Sequence, residues 1–205
     1  PFIAASSGYT ADLEKIVALA RSGAGAIVLK SLFEEQINNE ISFLEDVSSD
    51  YTENQDFLKR YVTEYSLGKY VQLIKDAKRE AGIPVIASIN CYSHSNWIEF
   101  AKEIEKAGAD ALELNIYSLP VNGSKNSVEI ENGYFEIVKK ITSEIKIPVA
   151  VKIGDTFTNL GNFVQGLQNS GAKGVVLFNR FDTPDISLKS LKIVPAVPFS
   201  SKSEY

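Results

Sequence analysis

The stretch IPVAVKIGD, residues 147–155, decides the fold because it places a lysine inside a run that is otherwise typical of a buried β-strand. Burying an unpaired ammonium group is costly, so Lys152 is expected either to be paired or to face a polar cavity. A second lysine, Lys30, ends the apolar run AIVLK, and three further apolar runs end in an asparagine, namely Asn90, Asn115 and Asn179. Strand-like runs therefore end repeatedly in a polar or cationic side chain.

Strand-like and helix-like patterns alternate along the chain, which predicts an α/β fold with a parallel sheet. A unit of apolar strand, helix, glycine-containing loop and apolar strand recurs, and it is marked by the pairs Pro1 and Gly23, Pro84 and Gly108, and Pro148 and Gly171. About six parallel strands built in this way form three quarters of a TIM (β/α)8 barrel. A doubly wound open sheet is the alternative, but it usually has a glycine-rich turn after its first strand, and ASSGYT is not G-x-G-x-x-G.

The segment 31–68 is polar and acidic without a clear period, which predicts a short helix followed by a long, partly mobile excursion. We interpret it as an insertion within one barrel domain that spans residues 1–205. Residues 180–205 are irregular, so we expect the last quarter of the barrel to be missing from this stretch and further residues to precede Pro1, in an enzyme of about 300 residues. An open sheet predicts self-association of these residues through unpaired edges.

The composition is that of a soluble globular protein, with 44% hydrophobic and 23% charged residues. A net charge of -5 provides no basic surface for nucleic acid, and no apolar run approaches the roughly 20 residues that span a bilayer. One cysteine, Cys91, and one histidine, His94, cannot form a zinc cluster or an intrachain disulfide. We therefore predict a reduced, cytoplasmic protein that binds a small molecule and neither nucleic acid nor a membrane.

The polar strand ends predict the position of a ligand site. In a barrel the active site lies at the carboxyl ends of the strands, which we call the mouth. The side chains expected there are those of Ser6, Lys30, Asn90, Asn115, Lys152 and Asn179. Nothing in the chain matches a phosphate-binding P-loop, a nucleophile elbow or a metal-ligand cluster.

The segments AASSG, AIVLKS, ASIN, ELNIYS, VAVKI and VVLFN, in this order, resemble the dihydroorotate dehydrogenase family of flavin (FMN) enzymes over nearly the whole chain. The resemblance implies a TIM barrel, an FMN cofactor and the oxidation of dihydroorotate, or a related cyclic substrate, in pyrimidine biosynthesis. In such a reaction a base removes a proton while a hydride passes to FMN.

The resemblance also implies a role for each matched residue. Two residues are expected to be catalytic: Ser118 falls on the catalytic base of the family, and Lys30 matches the family's lysine near flavin and substrate. Asn115 and Asn179 match substrate-binding asparagines. The residues that match the cofactor site are Ala5, Ser6, Lys30, Ser31, Asn90, Asn115 and Lys152. No metal is implied.

Two other hypotheses stay open. A lysine desolvated on an apolar strand, Lys152 or Lys30, has the character needed to form a Schiff base, as in an aldolase or lyase. The third hypothesis is a non-catalytic barrel homologue that serves binding or assembly. It is motivated by segment 31–68, which contains no N-x-x-G-L-x-N sequence of the kind that binds orotate in the family.

Overall fold

The computed structural model describes residues 2–47, 55–91, 94–117, 123–179, 184–188, 190–191 and 193–195. The strands are β1 (Ile3–Ala4), β2 (Ala26–Val28), β3 (Leu32–Phe33), β4 (Val85–Asn90), β5 (Ala111–Asn115), β6 (Val149–Ile153), β7 (Gly174–Leu177), β8 (Pro184–Ile186) and β9 (Ile193–Pro195). A short 3-10 helix (Gly8–Thr10) precedes α1 (Leu13–Arg21), α2 (Glu34–Val47), α3 (Gln55–Glu80), α4 (His94–Lys106), α5 (Ser127–Glu144) and α6 (Leu160–Asn169).

The main sheet is parallel, and its strands lie side by side in the order β1-β2-β4-β5-β6-β7, with short β3 paired to β4. Because strand order follows chain order and such crossovers are right-handed, the connecting helices lie on one face of the sheet. The result is a curled, TIM-barrel-like α/β fold, as the sequence predicts. Within the described part of the chain, β1 and β7 are each paired on one side only.

The two faces of the sheet differ in chemistry. In β4 to β6 the residues that face the helices are apolar and buried, for example Ile89, Leu114 and Val151. The alternate positions form the inner face, on which paired residues lie side by side: Ser88 beside Glu113, and Asn115 beside Lys152. Because side chains alternate along a strand, the polar residues share one surface.

The helices cover the outer face with the residues that their periodicity predicts. Trp97, Phe100 and Ile104 of α4 are buried, and Phe163 and Leu167 of α6 are buried in the same layer. The recurring glycine of the sequence repeat has a backbone reason. After α4 and α6 the chain turns at Gly108 (φ 90°) and Gly171 (φ 106°), in the left-handed region that residues with a Cβ rarely adopt.

Segment 31–68 differs from its prediction. Instead of a long irregular excursion it contains α2 and the whole first half of α3, and Ile37, Ile41 and Val62 are buried against the core. The helical period is obscured because α3 also carries exposed aromatic residues on its outer side, among them Phe57 and Tyr61. The assignment of the segment as an insertion within one domain stays a prediction.

Helix α5 begins at Ser127 because Asn126 and Glu129 form a capping box at this point. The region after β7 differs from its prediction. After β7, in a region expected to be irregular, β8 and β9 pair antiparallel as a separate two-stranded sheet. Neither strand extends the parallel sheet.

The packing of α6 on α5 generates a stability prediction. A Cβ added at Gly166 would overlap the ring of Phe135 on α5, whereas the nearest atom to a Cβ at Gly161, in the same helix, is 3.7 Å away. We expect Gly166→Ala to lower the free energy of unfolding by about 1–2 kcal/mol relative to Gly161→Ala, because overpacking offsets the helix propensity gained. Urea denaturation of both variants measures this difference, and equal stabilities would contradict the packing described.

Candidate functional site

The first group of polar residues at the mouth is a chain of hydroxyl groups that ends at a carboxylate. Ser6 and Ser31 lie 3.2 Å apart through their Oγ atoms, and the backbone N–H of Ser31 also donates to Ser6 Oγ (3.0 Å). Ser31 Oγ lies 2.8 Å from Ser88 Oγ, which donates to Glu113 Oε1 at 2.9 Å. This hydroxyl chain therefore runs from the end of β1 across β4 to the middle of β5.

Glu113 is a buried acid on the inner face of the sheet, with 3% of its surface exposed. Burial raises the pKa of its carboxyl group, while the hydrogen bond from Ser88 and the charge of Lys152 act in the opposite direction. The acid form is therefore favoured more than in an exposed glutamate. Glu113 is placed to hold a proton in the interior of the half-barrel.

The second group at the mouth is a set of three asparagines. Asn90 Nδ2 donates to the backbone carbonyl of Asn115 (2.7 Å), and Asn179 Nδ2 donates to Asn115 Oδ1 (2.9 Å). Asn115 is buried, with 4% of its surface exposed; the bond from Asn90 holds its backbone, and the bond from Asn179 fixes the oxygen of its side-chain amide. The structure thus brings together the ends of β4, β5 and β7, as the sequence predicts.

Lys152, on β6, interacts with members of both groups. It is half-buried, pairs in register with Asn115, and interacts electrostatically with Glu113. Among the described residues, none makes a hydrogen bond with Lys152 Nζ or with Asn115 Nδ2. Two neighbouring donors at the mouth are therefore available to a ligand, and together they suit a planar molecule with oxygen or nitrogen acceptors.

Other predicted site residues are less enclosed. Lys30 is exposed, contrary to the expectation from its apolar run, because β2 ends at Val28 and the chain leaves the sheet there, with the backbone N–H of Lys30 donating to the carbonyl of Thr10 at 3.1 Å. Ala5, after the end of β1, is also exposed. Ser118, the predicted base, lies outside the described residues, so its role stays a prediction.

The single cysteine is a poor candidate for a nucleophile. Cys91 directly follows β4 and is buried, and burial together with the charge of Glu34 raises the pKa of its thiol. Because the thiolate is the reactive form, this environment keeps the group inert at neutral pH. Glu34 is itself buried and accepts a hydrogen bond from Asn96 (2.8 Å), which joins the start of α2 to α4.

Tyr70, on α3, supports the hydroxyl chain from behind. Its Oη accepts from the backbone N–H of Ser88 (2.8 Å) and donates to the carbonyl of the same residue (3.0 Å). Ser88 lies between the β4 residues that pair with β2 and those that pair with β3, where the neighbouring chain has left the sheet. The phenol therefore satisfies two buried backbone groups that would otherwise be unpaired.

Sequence reasoning missed Glu113, Ser88 and Tyr70. A signal existed for the first two, because a carboxylate in ALELN and a hydroxyl in IASIN interrupt apolar strands just as Lys152 interrupts VAVKI. Both stand two residues before a strand-end asparagine and therefore share its face. No comparable signal marks Tyr70, which is one of several aromatic residues of α3.

In the described ranges no group of three or more His, Cys, Asp or Glu side chains could hold a metal ion. None of the helices found there is long and apolar enough to cross a membrane.

Comparison with known proteins gives partial matches. No family model matches the chain. A protein provisionally named dihydroorotate dehydrogenase A (fumarate) from Aeropyrum pernix is 31% identical over 124 residues, which are 60% of this chain and 38% of that protein. The catalytic subunit of dihydroorotate dehydrogenase B (NAD(+)) from Thermoplasma volcanium is 28% identical over 126 residues, 61% of this chain and 40% of the relative.

A longer match covers most of the chain. The corresponding catalytic subunit from Methanocaldococcus jannaschii is 22% identical over 187 residues, which are 90% of this chain and 60% of that protein. The chain therefore spans between about two fifths and three fifths of the length of these curated relatives.

Solved structures support the fold. A protein of the dihydrodipicolinate synthase family from Coccidioides immitis superposes with a TM-score of 0.53 at 16% identity, covering 85% of this chain and 51% of its own. Phosphonopyruvate hydrolase superposes with a TM-score of 0.52 at 18% identity, covering 90% of this chain and 60% of its own. At such low identity these likenesses show a TIM-barrel-like fold and carry no information on function.

The contacts of Tyr70 generate a prediction. We expect Tyr70→Phe to lower the free energy of unfolding by about 2 kcal/mol or more, because it leaves the N–H and C=O of Ser88 buried without partners. Tyr61→Phe, at an exposed position of the same helix, is the control and is expected to change stability by less than about 0.5 kcal/mol. Chemical denaturation measures both, and equal effects would show that the phenol does not support β4.

The raised pKa of Glu113 generates a pH prediction. A carboxyl whose pKa is higher in the folded than in the unfolded state contributes stability at low pH that is lost as pH rises through the folded pKa. Glu113→Gln, which cannot ionise, should therefore gain stability over the wild type as pH rises from about 4 to about 8, by up to about 1.4 kcal/mol per pH unit between the two pKa values.

Glu136→Gln, at an exposed position of α5, is the matched control for this series. Urea denaturation at each pH measures the three proteins. A difference between Glu113→Gln and the wild type that stays constant with pH, or that shrinks as pH rises, would contradict the burial effect.

Proposed function

We propose that the mouth binds FMN and that the protein is an FMN-dependent oxidoreductase acting on dihydroorotate or a related cyclic substrate. The observation that carries the proposal is the pair of available donors, Lys152 Nζ and Asn115 Nδ2, side by side at the carboxyl ends of β6 and β5. A flavin ring offers a row of oxygen and nitrogen acceptors in one plane, so the residues present fit the ring.

Each residue has a distinct task in this proposal. Lys152 holds a positive charge where negative charge develops when a ring accepts electrons, which stabilises that state in a site of low dielectric. Asn115 is immobilised by Asn90 and Asn179, so its amide is preorganised and loses little entropy on binding. FMN, when bound, would supply the hydride acceptor.

The remaining assignments follow the resemblance and are proposals of the same kind. Asn179, beside Asn115, is proposed to contact the substrate as well, and Ser118 to remove its proton. A free serine is a weak base, so proton removal by Ser118 requires a partner that takes the proton onward. Ser6, Ser31 and Lys30 are proposed to lie near the cofactor.

The dihydroorotate dehydrogenases among the sequence relatives support the oxidoreductase hypothesis. Their matched regions cover only part of each relative, so the activity, substrate and partners of the whole protein are proposals. Self-association and a cytoplasmic location likewise stay predictions.

The proposal is tested with the purified full-length protein. We expect a yellow protein with flavin absorbance, and we expect Lys152→Ala to weaken FMN binding by about 10-fold to 100-fold, because a hydrogen bond from a charged donor is lost. Lys173→Ala, an exposed lysine at the opposite end of β7, is the control and should bind as the wild type does. A colourless protein that takes up no added FMN would refute the proposal.

A Schiff-base aldolase or lyase is the second candidate, and the side-chain amine of Lys152 at the end of a mostly apolar strand favours it. Borohydride reduction in the presence of pyruvate or a similar carbonyl compound, followed by mass spectrometry, separates the two functions. An adduct on Lys152 in a protein without flavin would support the lyase hypothesis. If Lys152 stays unmodified, the lyase hypothesis is excluded.

A further inference from the structure

We propose that Ser6, Ser31, Ser88 and Glu113 form a proton-transfer chain that connects a ligand at the mouth with a buried carboxylate. The proposal rests on the proposed function only in requiring that the mouth bind a ligand. Three successive contacts join the four side chains, at 3.2, 2.8 and 2.9 Å between heavy atoms. Each contact lies within or near the normal range for hydrogen bonds between oxygen atoms.

The ionised state of Glu113 determines the direction of every bond in the chain. A carboxylate only accepts, so Ser88 donates its single hydroxyl proton to Glu113. Ser88 then accepts from Ser31, and Ser31, whose own proton is used, accepts from Ser6. Since Ser6 Oγ also accepts from the backbone N–H of Ser31, it can offer a ligand a lone pair and no proton.

Protonation of Glu113 reverses the direction of every hydrogen bond in the hydroxyl chain. The carboxylic acid donates to Ser88, each hydroxyl turns to donate to the next, and the O–H of Ser6 becomes free to donate to the ligand. The reversal moves one proton. A ligand O–H, N–H or acidic C–H gives its proton to Ser6, each serine passes its own proton inward, and Glu113 gains one, so every serine stays neutral.

The surroundings hold the chain in place and keep both states accessible. Ser31 and Ser88 are buried, and Tyr70 fixes the backbone of Ser88 from α3. The charged group that acts on Glu113 is Lys152 on β6, while burial and the charge of Glu113 raise the pKa of the Tyr70 phenol on α3 and so keep it neutral. Lys152 favours the carboxylate, whereas burial favours the acid, so a ligand that changes charge at the mouth can shift the balance.

The ligand class follows from the chemistry of the chain. Its outer end recognises a group that is a donor before reaction and an acceptor after it, as in a molecule that loses a proton while it is oxidised. Glu113 itself contacts no ligand in this scheme. It is a positioning residue that acts through Ser6 and accepts the proton that a weak base at the mouth could not retain.

The test measures the protonation of Glu113 and does not depend on activity. In the full-length protein, a laser-induced pH jump followed by time-resolved infrared spectroscopy records the carboxylic acid band of Glu113, which is identified by its loss in Glu113→Gln. We expect Ser31→Ala to slow the appearance of this band by about 10-fold or more, because one link of the path is removed. Ser31→Thr, which keeps a hydroxyl, should restore the wild-type rate.

The outcomes separate the two proposals. Equal rates in the wild type and Ser31→Ala, or an absence of any Glu113 acid band between about pH 4 and about pH 9, would overturn the proton chain. If Ser31→Ala does not fold, Ser6→Ala at the half-buried outer end replaces it, with the same expected slowing. A hydroxyl-dependent rate in a protein that binds no FMN would support the chain and reject the flavin function.

Discussion

The carboxyl group of Glu113, buried on the inner face of β5, is the constraint to which the rest of the site responds. A buried acid needs hydrogen-bond donors and a nearby cation if it is to ionise at all. Ser88 and Lys152 supply these from the two adjacent strands, β4 and β6. The requirement of one side chain thereby sets the polar character of the inner face, whereas the face toward the helices remains apolar.

The parallel register transmits this constraint to the mouth. Pairing between neighbouring strands places Ser88 next to Glu113. Two residues further along β5, it places Asn115 next to Lys152. Because residues two apart share a face, β4 and β5 each present one polar residue in the interior and a second at the strand end, and β6 adds Lys152 at its own end. The inner layer holds the proton-accepting acid, and the outer layer holds the donors that a ligand can use.

The helices outside the sheet contribute to the site by satisfying backbone groups that the strands leave unpaired. Tyr70 of α3 pairs with the backbone of Ser88 where β2 and β3 leave a gap, so the middle of β4 does not admit another strand. Helix α3, which begins within segment 31–68, thus supports the site from the outer side, although exposed aromatic residues on this helix hid its period. For Lys30 the sequence predicted too much order instead of too little. Its apolar run predicted burial, but the residue lies beyond the end of β2 and is exposed.

The sequence by itself determined the alternation of strands and helices, the glycine turns and the polar ends of the strands, because periodicity and left-handed backbone positions depend on a few neighbouring residues. Only the tertiary structure decided which polar groups meet. Ser6 and Ser31 are 25 residues apart and Ser31 and Ser88 are 57 apart, so their contact depends on the register between strands joined by helices. Helical connections constrain that register weakly, and it is settled by packing of the whole sheet.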